Sequence, residues 1–252
     1  MPNHLTIVTG SSRGLGAALV AQLLAPGHQV LGLARHQNAA LADQARASGA
    51  ALTQWSVDLA DPLLPAERLA GWLTAPERGE VASVTLVNNA GVVGLPASLD
   101  QVPLATLQGA MRAGLEAALL LTASFLAATA SWTVPRRVMN ISSGLGRRAM
   151  AGSAAYCAAK AGMDHFTRCV ALEQAALSNG ARIVSIAPGV IDTDMQVELR
   201  SADAAAFPER ARFAQLHASG QLSSAADCAA KLLRYLSGPG FAAEPIVDIR
   251  EI

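Results

Sequence analysis

Seven short runs of mostly apolar, often β-branched positions punctuate the chain, at residues 5–9, 30–34, 52–57, 83–87, 138–141, 182–186 and 246–249. Most do not alternate apolar with polar, and a continuous apolar run bounded by turn residues marks a strand covered on both faces. Longer Ala- and Leu-rich stretches with helical character lie between them, at 14–25, 38–48, 65–73, 104–128, 154–177 and 223–236. Strand–helix–strand repetition implies parallel pairing through right-handed crossovers. The expected fold is therefore α/β, a Rossmann-like doubly wound parallel sheet of about seven strands with helices on both faces. No linker divides the chain, so residues 1–252 read as a single domain. One stretch, 192–220, has no clean pattern and mixes charged, apolar and proline residues. A long irregular segment in a compact domain is commonly functional, so it is expected to be a substrate lid with Met195, Leu199, Phe207 and Phe213 as apolar contacts.

Composition narrows the possibilities. Hydrophobic residues make up 52% of the chain and charged residues 15%, which argues for a large buried core and against disorder. Aromatics are scarce at 4%, as expected where alanine-rich helices pack closely on a sheet or on another subunit. With 19 basic and 19 acidic residues the formal net charge is zero, so no field exists to attract nucleic acid. Cys157, Cys169 and Cys228 have the spacing of neither a metal site nor a redox pair and read as buried small apolar residues; no metal is expected. The N-terminal Met1-Pro2-Asn3-His4 runs into the first strand without the regions of a signal peptide, and the apolar run 117–130 is short for a bilayer. The expectation is a cytoplasmic protein with no membrane partner.

The strand ends carry the chemistry. Strand one is followed by Thr9-Gly10-Ser11-Ser12-Arg13-Gly14-Leu15-Gly16, strand two by Arg35, strand three by Asp58, and strand four by Asn88-Asn89-Ala90-Gly91. Strand five ends at Ser142-Ser143-Gly144 and strand six at Pro188-Gly189. Ligands of open parallel sheets bind at the carboxyl edge, where these polar and glycine residues gather. A strand–turn–helix with Gly10, Gly14 and Gly16 suits a pyrophosphate, which approaches the backbone closely and meets the positive end of the helix. After strand two a carboxylate would favour the free 2′-hydroxyl of NAD, whereas the sequence reads Leu33-Ala34-Arg35-His36. Arg35, with Arg13 as a second cation, favours the 2′-phosphate of NADP(H).

Together, Thr9-Gly10 with Gly14 and Gly16, Asn88-Asn89-Ala90-Gly91, Ser143, Tyr156-x-x-x-Lys160 and Pro188-Gly189 resemble the short-chain dehydrogenase/reductase family, in its order and over nearly the whole chain. The segment 188–196 and the terminal 246–250 resemble the family's sepiapterin reductase and benzil reductase branch. The resemblance implies reduction of a ketone or diketone with NADPH, with Tyr156, Lys160 and Ser143 as the catalytic group. Ketone reduction needs a proton on oxygen as well as a hydride on carbon. Tyr156 and Lys160 share one helix face, and a nearby ammonium lowers a phenol pKa of about 10. Ser143 would donate to the substrate oxygen. The resemblance also implies that Lys160 binds the nicotinamide ribose and that Ser12 and Leu15 belong to the glycine turn. By the same resemblance Asp58 meets the adenine, and Asn88, Ala90 and Gly91 line the adenosine ribose side. Val190 and Thr193, after Pro188 and Gly189, meet the nicotinamide amide; Asn89 reads as stabilising the sheet.

Gly114 stands where the family usually places an asparagine. A glycine there suggests a local kink, and it is the one feature favouring the alternative of a cofactor-binding regulatory protein with little turnover. The long apolar helices 104–128 and 154–177 predict a homodimer or homotetramer.

Overall fold

The computed structural model describes residues 3–75 and 81–252. Seven parallel strands form one sheet: β1 (His4–Thr9), β2 (His28–Ala34), β3 (Ala51–Ser56), β4 (Ser83–Asn88), β5 (Arg136–Ile141), β6 (Arg182–Ala187) and β7 (Ile246–Asp248). Their spatial order is β3-β2-β1-β4-β5-β6-β7. The chain moves outward from β1 to β3, then returns to place β4 beside β1, and this reversal opens a crevice at the carboxyl ends of β1 and β4. The apolar runs explain the burial: β4 is buried at every position and β1 at all but its first.

Helices α1 (Gly14–Leu23), α2 (Ala39–Ser48) and α9 (Ala225–Ser237) contribute to the cluster on one face, where Leu19, Leu41 and Leu232 join Val8, Val87 and Met139. On the other face α3 (Leu63–Thr74) and α5 (Ala117–Ala128) set Leu69, Leu121 and Phe125 against Leu5, Leu86 and Val138. Local signals account for several boundaries. Asn38 caps α2 by accepting from the Leu41 N–H, and Gly49, at φ 71°, ends it in the left-handed conformation.

Two stretches differ from the sequence reading. The expected helix 104–128 is three pieces: α4 (Leu104–Met111), a π-helical turn over Arg112–Glu116, and α5. The wider turn carries Gly114, buried against α6 (Ala154–Ala175), where a Cβ would lie 3.3 Å from the Ala159 methyl. The irregular stretch 192–220 instead contains α7 (Asp194–Arg200) and α8 (Arg210–Ala218). Leu199, Phe207 and Phe213 form a small apolar cluster there with Val93. Phe207 is its interior, stacked on Phe213 and pressed against Gly152, and does not reach the cavity described below. These helices escaped notice because their short amphipathic pattern is broken by the segment 201–209. Of the cysteines only Cys228 is buried; Cys157 is half-buried and Cys169 exposed.

Candidate active site

A cavity of about 1040 Å³ runs along the carboxyl edge of the sheet. At its β1 end the chain turns through Gly10 (φ 67°) and Gly14 (φ 55°) into α1. Gly16 lies beneath this turn rather than in the wall, and a Cβ there would strike the Gly10 carbonyl oxygen. No side chain caps α1, so its first turn faces the cavity with its N–H groups free of a side-chain acceptor. Gly10, Ser12, Arg13, Gly14 and Leu15 all line the wall. Arg13 also holds Asp194 at 2.7 Å, tying the turn to the start of α7.

Arg35 projects into the same wall from the end of β2, exposed and without an ion pair among the described residues. Asp58 does not line the cavity. It is exposed, and its carboxylate accepts from the Ala60 N–H in a local turn, while its neighbours Val57 and Leu59 form the wall. Asn88 is also outside. It is 2% exposed and its side-chain amide donates to Asn140, Thr122 and the Ala118 carbonyl, a buried polar knot beneath the site. Ala90 and Gly91 line the cavity, and so does Asn89, which the sequence placed in a sheet role. Asn89 does both, since its amide donates to the Thr9 and Gly10 carbonyls and so holds β4 to the glycine turn.

Ser143, Tyr156 and Lys160 meet in the wall beyond the end of β5. Ser143 starts a short 3-10 turn, its Oγ accepting from the Leu145 N–H at 3.1 Å. Tyr156 and Lys160 lie one turn apart on α6, with the Lys160 Nζ 5.7 Å from the centre of the tyrosine ring. The ammonium donates to the Ile141 carbonyl at 2.7 Å and is 3% exposed. Burial pushes its pKa down to about 8, against the pull of Asp164 one turn further on. Burial also raises the Tyr156 phenol, and the Ser143 hydroxyl offsets part of that. Desolvation thus governs the phenol, and no lowering from Lys160 enters.

Pro188, Gly189, Val190 and Thr193 complete the far wall after β6. Gly189 has φ 80°, and the buried Cys228 thiol donates to the Pro188 carbonyl behind it. Met195 and Leu199 from α7 and Phe213 from α8 give this end an apolar surface. Ala113 from the π-helical turn, Leu145, Arg148 and Met150 also line the cavity, and sequence reasoning missed them. Their common feature is position just beyond Ser143 or beside Gly114.

An open parallel sheet with a glycine turn at its switch point and Tyr156, Lys160 and Ser143 on one cavity defines a dinucleotide-binding oxidoreductase. The family model described as short chain dehydrogenase matches residues 4–204, and the chain belongs to that family. It is 34% identical over 248 residues to a benzil reductase ((S)-benzoin forming) of Bacillus subtilis, covering 98% of this chain and 99% of that one. It is 32% identical over 253 residues to a sepiapterin reductase of Meriones unguiculatus, covering 96% and 94%. A Beutenbergia cavernae protein solved with bound NADP is 27% identical with a TM-score of 0.82, over 99% of this chain and 96% of that one.

Proposed function

We propose that the protein reduces a ketone or diketone to an alcohol with NADPH, Tyr156 acting as proton donor, Ser143 as the donor to the carbonyl oxygen and Lys160 as the cation beside them. The observation that carries this reading is one continuous cavity running from the uncapped start of α1, past Tyr156, Lys160 and Ser143, to the apolar faces of α7 and α8. Membership of an oxidoreductase family fits it, and the relatives named benzil reductase act on a diketone by that name.

The residues present suit a phosphorylated dinucleotide. The glycine turn and the open N–H groups of α1 would receive its pyrophosphate, and Arg35 with no carboxylate beside it would receive the 2′-phosphate. When bound, NADPH supplies the hydride. Reduction then needs a phenol that still carries its proton, and the burial that raises Tyr156 keeps it so at neutral pH. Ser143 donates to the carbonyl oxygen as negative charge builds there. Lys160, held by Ile141, keeps a positive charge close to the phenol as the proton leaves.

Tyr156→Phe removes the proton and keeps the ring. The variant should fold and bind NADPH as the parent does, while single-turnover NADPH oxidation with a reducible diketone slows by about 100-fold or more, the scale of general acid catalysis. A folded Tyr156→Phe protein turning over at the parent rate would show that Tyr156 is not the proton donor.

A further inference from the structure

We propose that Arg148 determines substrate specificity by binding a carboxylate carried by the ketone, so that the preferred substrates are oxo acids with an apolar side group. The inference rests on the reductase reading and adds to it a class of substrate.

The loop that holds Arg148 is pinned immediately before it. Gly146 lies so close to α6 that a Cβ would come within 2.9 Å of the Lys160 carbonyl oxygen. Arg147 is anchored to the Asp164 carboxylate at 3.3 Å and to the Val247 carbonyl at 2.9 Å. Arg148, the next residue, lines the cavity yet has no ion pair and no hydrogen bond among the described residues. A guanidinium fixed at its base and free at its tip is ready to take two oxygens of one anion.

The neighbouring charges leave that capacity open. Asp194 is held by Arg13, Asp248 by Arg250 at 2.6 Å, and Arg212 by Glu209 at 3.5 Å. Among the remaining charged residues of the cavity lining, Lys231 and Arg148 are cations and Glu198 on α7 is the one carboxylate without an ion pair among the described residues. The adenosine phosphate does not account for Arg148. Arg35 follows β2 and Arg148 lies beyond β5, and these strands are three spacings, about 14 Å, apart in the sheet. Met150, two residues on, and Met195, Leu199 and Phe213 also line the cavity and suit an aryl or alkyl group. In such a substrate the keto carbon takes the hydride of NADPH, which becomes NADP, the keto oxygen takes the Tyr156 proton, and the carboxylate is unchanged.

The test compares phenylglyoxylate with its methyl ester in the parent, Arg148→Gln and Arg148→Lys proteins, alongside calorimetric binding of phenylacetate, which cannot be reduced, to the NADPH-loaded forms. The parent should favour the acid in kcat/KM. Arg148→Gln should weaken the acid by about tenfold or more, mainly in KM, and leave the ester unchanged, as expected for loss of a charge-assisted pair. Arg148→Lys should recover part of the loss, and phenylacetate affinity should follow the same order. An ester reduced as well as the acid by the parent, or an Arg148→Gln variant that slows both alike, overturns the proposal; the latter is the result if Arg148 serves Glu198 instead. Should neither ketone be reduced, the reductase reading fails, and phenylacetate binding still decides the role of Arg148: dependence on the arginine upholds it and independence overturns it.

Discussion

Lys160 and Lys231 are the two lysines of the chain, so a protein labelled at lysine Cε gives two resonances, and Lys231→Arg assigns them. The Lys160 signal should titrate with a midpoint near 8 in the unliganded protein. Because folding lowers this pKa from 10.5, the unfolded chain binds more protons between the two values. Lys160 therefore costs stability below about pH 8, and the cost fades as the pH rises toward 10.5. A midpoint at the ordinary lysine value would mean that the amine is hydrated rather than buried against Ile141. At the other end of the cavity, Arg35→Ala should weaken NADPH by about tenfold or more and leave NADH nearly unaffected, since only NADPH carries the 2′-phosphate that a guanidinium pairs with. Fluorescence titration with both cofactors measures this, and equal losses for the two would remove Arg35 from that role. The glycine turn, Ser143, Tyr156 and Lys160 were legible because each follows a strand or repeats at helical spacing. Asp58 and Asn88 stand outside the cavity wall because the sequence gives position at a strand end, and only packing decides which way a side chain points. Asn88 points into a buried amide knot and Asp58 into its own turn.

At the scale of elements, α7 and α8 form the far end of the cavity, and their small cluster of Leu199, Phe207 and Phe213 is separate from the two clusters that flank the sheet. A unit with its own small core can move over the cavity without disturbing the sheet. Hydrogen exchange across 192–220 should slow when NADPH and a competitive carboxylic inhibitor bind together, and exchange unchanged by the pair would mean a fixed wall. The Arg13–Asp194 pair is exposed and so contributes little to stability by itself, but it joins the start of α7 to the glycine turn. The π-helical turn at Arg112–Glu116 has a comparable positioning role, bringing Ala113 into the cavity wall and Gly114 against α6.

For the molecule as a whole, residues Leu104–Ala128 form a continuous helical run of 25 residues that length and composition alone would allow to cross a membrane. Its burial of Ala117, Leu121 and Phe125 against the sheet makes it a core helix instead. Leu104 and Leu119 on this run, and Leu172 on α6, remain exposed. Apolar residues facing outward on two long helices call for cover, which a second copy of the chain would supply. Light scattering at micromolar concentration should therefore give a dimer or tetramer, and Leu172→Glu should shift it toward single chains. A parent protein that scatters as one chain would show that these leucines face water.

The alternation of apolar runs with helical stretches determined the parallel α/β class by itself, because a strand covered on both faces favours a near-continuous apolar run, with its few polar residues paired inside. The same logic placed the glycine turn, Arg35 and Ser143 on one edge, since parallel strands all end on the same side, while the Tyr156–Lys160 pair came from its helical spacing and the family resemblance. Tertiary structure alone decided the rest: which of two adjacent asparagines faces the cavity, that burial rather than the lysine charge governs Tyr156, that Arg13 is held by Asp194, and that Arg148 is free. Each depends on residues far apart in sequence, and desolvation and ion pairing act on distances that no local pattern encodes.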